Sequence, residues 1–198
     1  MASQTPYYRL TGTWLFWLAP AQEAKPNLDA TPAGNWVALG ETDGDQTLQY
    51  TGTLTAFTDN SHTGRVKHVR PEEGFSVQFS LAKLELESLA KINSMATSDI
   101  TTTTSGALNV KQLPNKRGFV PTRYALLARG GAVSGSNVMS PYGSLPAQLW
   151  IPQGVFDGEP SMVFSKGGSP TPQVTFIAEE DDTQSAGNEF GYLEVQYT

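Results

Sequence analysis

The sequence predicts a mainly β protein, a sandwich or barrel subunit with one short amphipathic helix packed on the sheet. Three observations lead there. Strand-like runs recur at short intervals, separated by turn clusters such as TDGD, TDNSHTG, GGAVSG and FSKGGSP. Charged residues make up 16% of the chain, against about 25% in ordinary globular domains, and Thr, Ser and Gly fill their places. Only residues 81–93 carry a sustained helical period. At 198 residues and 38% hydrophobic content, the chain is long enough for one domain, 1–198, with a core of ordinary size.

The elements follow in order. TGTWLFWLAP has too short an apolar core, and the wrong flanks, for a signal peptide, and reads as a first strand over 12–19. Further strands are expected at 35–41, 46–57, 64–69 and 74–80. The last of these opens PEEGFSVQFSLAKLELESLAKI, which changes its rule halfway. Phe75, Val77, Phe79 and Leu81 alternate with polar residues, the period of a strand with one buried face. Beyond them Leu81, Leu84, Leu89, Ile92 and Met95 share one side of a helical wheel, so Leu81, Leu84, Leu89 and Ile92 are expected to seat the helix on the sheet. Glu87 and Lys91, four apart in the favourable order, support it. TSDITTTTSG reads as a polar linker. Strands are expected again at 107–113, 122–129, 147–152, 161–166, 173–179 and 191–197. The loops at 94–106 and 131–146 are polar and rich in Gly and Ser, and are expected to order only on assembly.

Charge and composition exclude several function classes. The chain has no cysteine, which removes disulfide scaffolds, thiol catalysis and Cys-ligated metals. No apolar run approaches the roughly 18 residues of a membrane span, so a soluble protein made without export is expected. A net charge of −6 argues against tight binding of duplex nucleic acid, which needs a basic footprint. The charge is uneven: residues 1–99 carry −4, residues 100–156 carry five basic groups and no acid, and residues 157–198 carry −7. These segments either neutralise one another within one fold or meet head to tail between subunits.

No enzymatic constellation emerges. There is no G-x-S-x-G elbow and no phosphate-binding glycine loop. A serine nucleophile needs a histidine base, and only His62 and His68 exist, both in the run DNSHTGRVKHV. Glu72 and Glu73 are adjacent, so a strand would point them to opposite faces. A calcium loop beginning at Asp43 would need Gly and Glu where Leu48 and Leu54 stand. Trp14, Trp17, Trp36 and Trp150 each sit inside an apolar run, which favours the core over a sugar-stacking platform. No cofactor and no metal are expected.

With chemistry set aside, the order of segments carries the most information. WVALGETDGDQTLQYTGTLTAFTDNSHTGRVKHVRPEEGFSVQFSLAKLELESLA resembles the tail tube proteins (major tail proteins) of long-tailed, siphovirus-type bacteriophages. It has an early Trp-x-x-Leu-Gly turn, paired strands with a polar hairpin, then EEG, an alternating strand and a short helix. The later run from YALLARG through LPAQLWIP and FSKGG to PQVTFIAEEDD is similar in the same order, so the resemblance spans roughly residues 34–197. Many relatives carry an extra C-terminal immunoglobulin-like domain, and none is expected here. The resemblance implies a β-sandwich virion protein that forms hexameric rings stacked into the tube through which DNA is ejected. It implies the tape measure, tail-tip and tail terminator proteins as partners, viral DNA passing without tight binding, no membrane, and a location in the virion tail after synthesis in the host cytoplasm. A tail terminator, a baseplate protein or a carbohydrate-binding β-sandwich are the alternatives. A lumen rich in carboxylates repels phosphates. Glu41, Asp43, Asp45 and Asp59 are the lumen-facing candidates, with no basic residue among them. For contact between rings, Arg65, Lys67 and Arg70 of the basic hairpin are expected to meet Glu179, Glu180, Asp181 and Asp182 of the next ring.

Overall fold

The computed structural model describes residues 8–40, 42–53, 55–58, 65–69, 72–82, 85–114, 120–134, 145–157, 160–161 and 171–196. Its strands are β1 (Tyr8–Pro20), β2 (Val37–Gly40), β3 (Thr42–Gly52), β4 (Thr55–Thr58), β5 (Arg65–Val69), β6 (Glu73–Leu81), β7 (Thr101–Ser105), β8 (Leu108–Gln112), β9 (Tyr124–Ser134), β10 (Leu145–Phe156), β11 (Gln173–Ala178) and β12 (Tyr192–Val195). The helix α1 spans Leu86–Ile92, and a single 3-10 turn follows at Thr97–Asp99. Among the described residues no helix is long and apolar enough to cross a membrane.

The main sheet is antiparallel, in the order β2-β1-β9-β10-β11-β6-β3, with β12 also on β10. β10 is where its geometry is decided. One edge pairs with β9, while the other takes β12 at Ala147–Trp150 and then β11 at Gly154–Phe156. Between those two stretches the register with β9 shifts, at Pro152 and Gln153. Proline has no N–H to give the ladder, so the pairing with β9 is interrupted there while β10 runs on.

The sheet curls on itself. Phe16 of β1 stacks on Phe79 of β6, with ring centroids 4.0 Å apart and planes 9° apart, although three strands lie between them in the order. At the far end, Thr42 Oγ1 of β3 donates to the Trp14 carbonyl of β1 at 2.8 Å. The space enclosed is filled by Phe16, Leu18, Phe75, Val77, Phe79, Leu126, Ile151, Phe156 and Phe176, all at most 3% exposed. Gly130 sits beside the Trp14 indole, in space that any β-carbon would contest.

A second cluster, Ala19, Trp36, Ala125, Leu127 and Trp150, is packed with Trp17 and Tyr192. In β9 the members of the two clusters alternate, Ala125 and Leu127 against Leu126 and Ala128, so the second cluster lies on the other face. This explains the unbroken apolar reading of ALLA and LWI, because strands buried on both faces do not alternate. Two hairpins complete the fold. β4 and β5 pair with one another just beyond β3 and β6, while β7 and β8 form a two-stranded sheet of their own.

Several expectations are corrected. The helix begins at Leu86 rather than 81, because Leu81 completes the alternation of β6, where it is fully buried and its N–H donates to the Pro172 carbonyl. The helix buries Ser88, Ala90 and Ile92, whereas Leu89 is only partly buried and Leu84 lies outside the described residues. Its end explains the seating. Ser94, with φ +56°, turns the chain, the N–H groups of Met95 and Ser94 return to the carbonyls of Ala90 and Lys91, and Met95 is buried.

The TDGD cluster is a bulge inside β3, not a turn: register with β6 slips between Asp43 and Thr47, and Gly44 takes φ +72°. The linker TTTTSG is strand β7, since four β-branched residues favour extended backbone and Gly106, with φ +62°, supplies the hairpin turn. The loop expected at 131–146 is shortened from both ends, because β9 runs to Ser134 and β10 starts at Leu145. Of the strand expected at 161–166, Ser161 bridges to Gln173 and the rest lies outside the described residues.

Candidate functional site

β3 carries two of the four acids singled out in the sequence. Asp43 and Asp45 flank Gly44 in the bulge, and both are exposed. Gln46 pins the bulge from beneath, its Nε2 donating to Thr42 Oγ1 at 2.7 Å and to the Trp14 carbonyl at 3.2 Å. The bulge thus turns two neighbouring carboxylates outward on a backbone tied to β1. Beyond it every residue from Thr47 to Gly52 is exposed, Tyr50 at 78%, although Tyr50 still rests against Phe75 with centroids 4.6 Å apart. Glu41 and Asp59 lie outside the described residues.

The basic hairpin is present as backbone: Arg65 pairs with Thr58 and Lys67 with Phe57, while Arg70 lies outside the described residues. The acidic run expected opposite it does not form one patch. Glu179 is partly buried, and Arg123 Nε lies 2.6 Å from its Oε2 in an ion pair. Asp181 is 1% exposed. It accepts from Gln22 Nε2 (3.1 Å), the Thr183 backbone N–H (3.1 Å), Thr183 Oγ1 (2.7 Å) and Gln184 Nε2 (2.9 Å). Burial pushes its pKa up, but the hydrogen bonds from Gln184, Thr183 and Gln22 outweigh it, and the carboxyl sits below its ordinary range. Asp181 is therefore corrected from a contact residue to the knot of its own loop. Only Glu180 and Asp182 stay exposed.

A third constellation went unread in the sequence. Residues 21–36 form a strap beside the second cluster, held by polar links. Arg129 at the end of the buried run of β9 donates to the carbonyls of Asn27 (2.6 Å) and Ala30, and to Gln148 Oε1 (3.1 and 3.0 Å). Gln148, with no exposed surface, donates onward to the Pro26 carbonyl (3.1 Å) and to Glu194 Oε2 (2.7 Å). Glu194 pairs with Lys25, whose ammonium also lies 5.2 Å from the Tyr192 ring centroid. Partial burial raises the Glu194 pKa, yet the bonds from Lys25 and Gln148 carry it below its ordinary value. Burial lowers the Arg129 pKa, with Asp29 acting the other way. The one available signal was a polar residue inside each apolar strand, Arg129 in YALLAR and Gln148 in AQLWIP.

Two open grooves flank these elements. One, of about 460 Å³, lies between Tyr50 and Gly52 of β3 and the loop at Gly187–Gly191. There the Gly187 backbone N–H holds the Glu189 carboxyl below its ordinary range. The other, of about 720 Å³, runs between strap residues Lys25–Asp29 and β12. Among the described residues no three Asp, Glu or His side chains converge to hold a metal. Trp14, Trp36 and Trp150 are at most 8% exposed, so they offer no stacking strip to a sugar. No family model matches the chain, and no curated protein is similar to it.

Proposed function

We propose that the protein is a structural subunit of a bacteriophage tail tube, assembling into stacked rings around a channel for DNA. The observation that carries the reading is β3: an end strand of the sheet, exposed from Asp43 to Gly52 except at Gln46, with no strand paired on its outer edge among the described residues. Such an edge is a template for a neighbouring chain. Exposed Asp43 and Asp45 on the same strand suit a channel wall that must not hold phosphate. The order of sequence segments supports the same reading, as does the uneven charge along the chain. For contact between rings, Arg65, Lys67 and Arg70 are proposed to meet Glu180 and Asp182.

Negative-stain electron microscopy of the purified protein, at rising concentration and falling salt, tests the proposal. Rings or hollow tubes of uniform diameter are expected, either alone or once a tail-tip complex is added as initiator. Particles that remain single with the initiator present would overturn it.

A further inference from the structure

Among the described residues one edge of β12 has no partner strand. The Gln196 N–H donates to the Pro146 carbonyl at 3.0 Å, and the register pairs Gln148 with Glu194 and Trp150 with Tyr192. In an antiparallel ladder hydrogen-bonded pairs alternate with non-bonded ones. Leu193 and Val195 therefore direct their N–H and C=O groups away from β10, and among the described residues nothing receives them. They face the 720 Å³ groove whose far wall is the strap at Lys25–Asp29. Neither outward position carries a charge or a proline, the usual guards of a free edge. Lys25, the nearest cation, is already engaged by Glu194 and Tyr192.

The β7–β8 hairpin has the complementary shortage. Among the described residues it pairs with no other strand, and nine of its ten residues are exposed. Its two-residue turn makes Ser105 and Leu108 a bonded pair, so Thr102 and Thr104 point their backbone groups outward along β7. A hairpin alone in water is marginal, and here one ion pair, Lys111 to Glu87 at 2.6 Å, ties it to α1. β7 is uncharged, and four of its five residues are β-branched.

We infer that β7 of one copy adds as a strand to the outer edge of β12 in a second copy, seated in the groove beneath the strap. Two outward donors and two outward acceptors on each strand then find partners, and the contact is head to tail because its two surfaces differ. The inference rests on the self-assembly part of the tube reading and specifies a contact that this reading leaves open.

Hydrogen exchange on the full chain, dilute and concentrated, tests it together with Leu193→Pro. That substitution removes an N–H that β10 does not use, so the monomer's melting midpoint is expected to hold while self-association weakens about tenfold. In the unsubstituted chain the amides of Leu193, Val195, Thr102 and Thr104 are expected to slow together on association. Because the chain lacks cysteine, Thr104→Cys and Val195→Cys copies can be mixed and oxidised. They are expected to cross-link faster than a Val120→Cys and Val195→Cys mixture, Val120 being exposed elsewhere. Rings or tubes in which these amides stay unprotected would overturn this contact and leave the tube reading standing. A chain that stays single at every concentration, with the same amides unprotected and no preferential cross-link, would overturn it as well.

Discussion

Asp181 shows how far a residue's role departs from its neighbours' when local bonding takes over. It stands third in EEDD, yet it is buried and accepts four hydrogen bonds while Glu180 and Asp182 face solvent. Its folded pKa is depressed, so the stability it contributes is complete above the unfolded value of about 3.9. That stability fades as the pH falls through this value toward the folded one. Asp181→Asn would set an amide N–H₂ against either Gln184 Nε2 or the donors of Gln22 and Thr183. The variant is expected to lose about 1–3 kcal/mol at neutral pH, and the gap should narrow below about pH 4. Urea unfolding of both proteins at pH 7 and pH 3 checks this. A gap unchanged by pH would mean that the charge is not what matters.

At the scale of elements, polar bonds hold the strap alongside the buried Trp36, and Arg129 and Gln148 each make four bonds in that network. Arg129→Ala would leave the carbonyls of Asn27 and Ala30 and the buried Gln148 oxygen without their donor. Losing charge-assisted bonds of about 1.5–3 kcal/mol should raise protease cleavage within residues 21–35 about tenfold or more, with global unfolding changed less. Limited proteolysis followed by mass spectrometry reads that ratio directly. The strap also marks where sequence reading stopped. Strands were legible because their signals are local: alternation in β6, and apolar runs in β9 and β10. Helix α1 was legible in kind but not in extent, since Leu81 satisfies both the strand period and the helical wheel and only the packing of β6 decides between them. The partners of Arg129 and Glu194 lie up to 169 residues away in the chain, and no local period announces such bonds. The bulge at Gly44 was read as a turn for a related reason: the chemistry that permits positive φ serves both.

Across the whole molecule, bases and acids are separated along the chain beyond residue 99, and the proposed ring stacking gives the separation a use. Replacing Asp43 and Asp45 by Lys changes exposed residues alone, so the subunit should fold and assemble as before. Tubes bearing the double substitution are expected to retain DNA that the original tubes release, with retention falling steeply as salt rises. Binding of labelled DNA to assembled tubes across a salt series checks it. Equal retention by both would place these carboxylates elsewhere than the channel.

The pairing of β1 with β9 also bears on how a newly made chain behaves. β2 can join one edge of the first strand early, but Tyr8 meets Ser134 and Pro20 meets Tyr124 on the other, so that edge waits for more than half the polypeptide. β10, on which three strands depend, comes later still. During synthesis the pairings of β3 with β6 and β7 with β8 close from nearby segments, while the β9 edge of β1 stays open. Loop closure over such distances slows folding and prolongs exposure of unpaired edges. The chain thus passes through a period in which one edge of its first strand is open, and closure of the main sheet waits for β9 and β10.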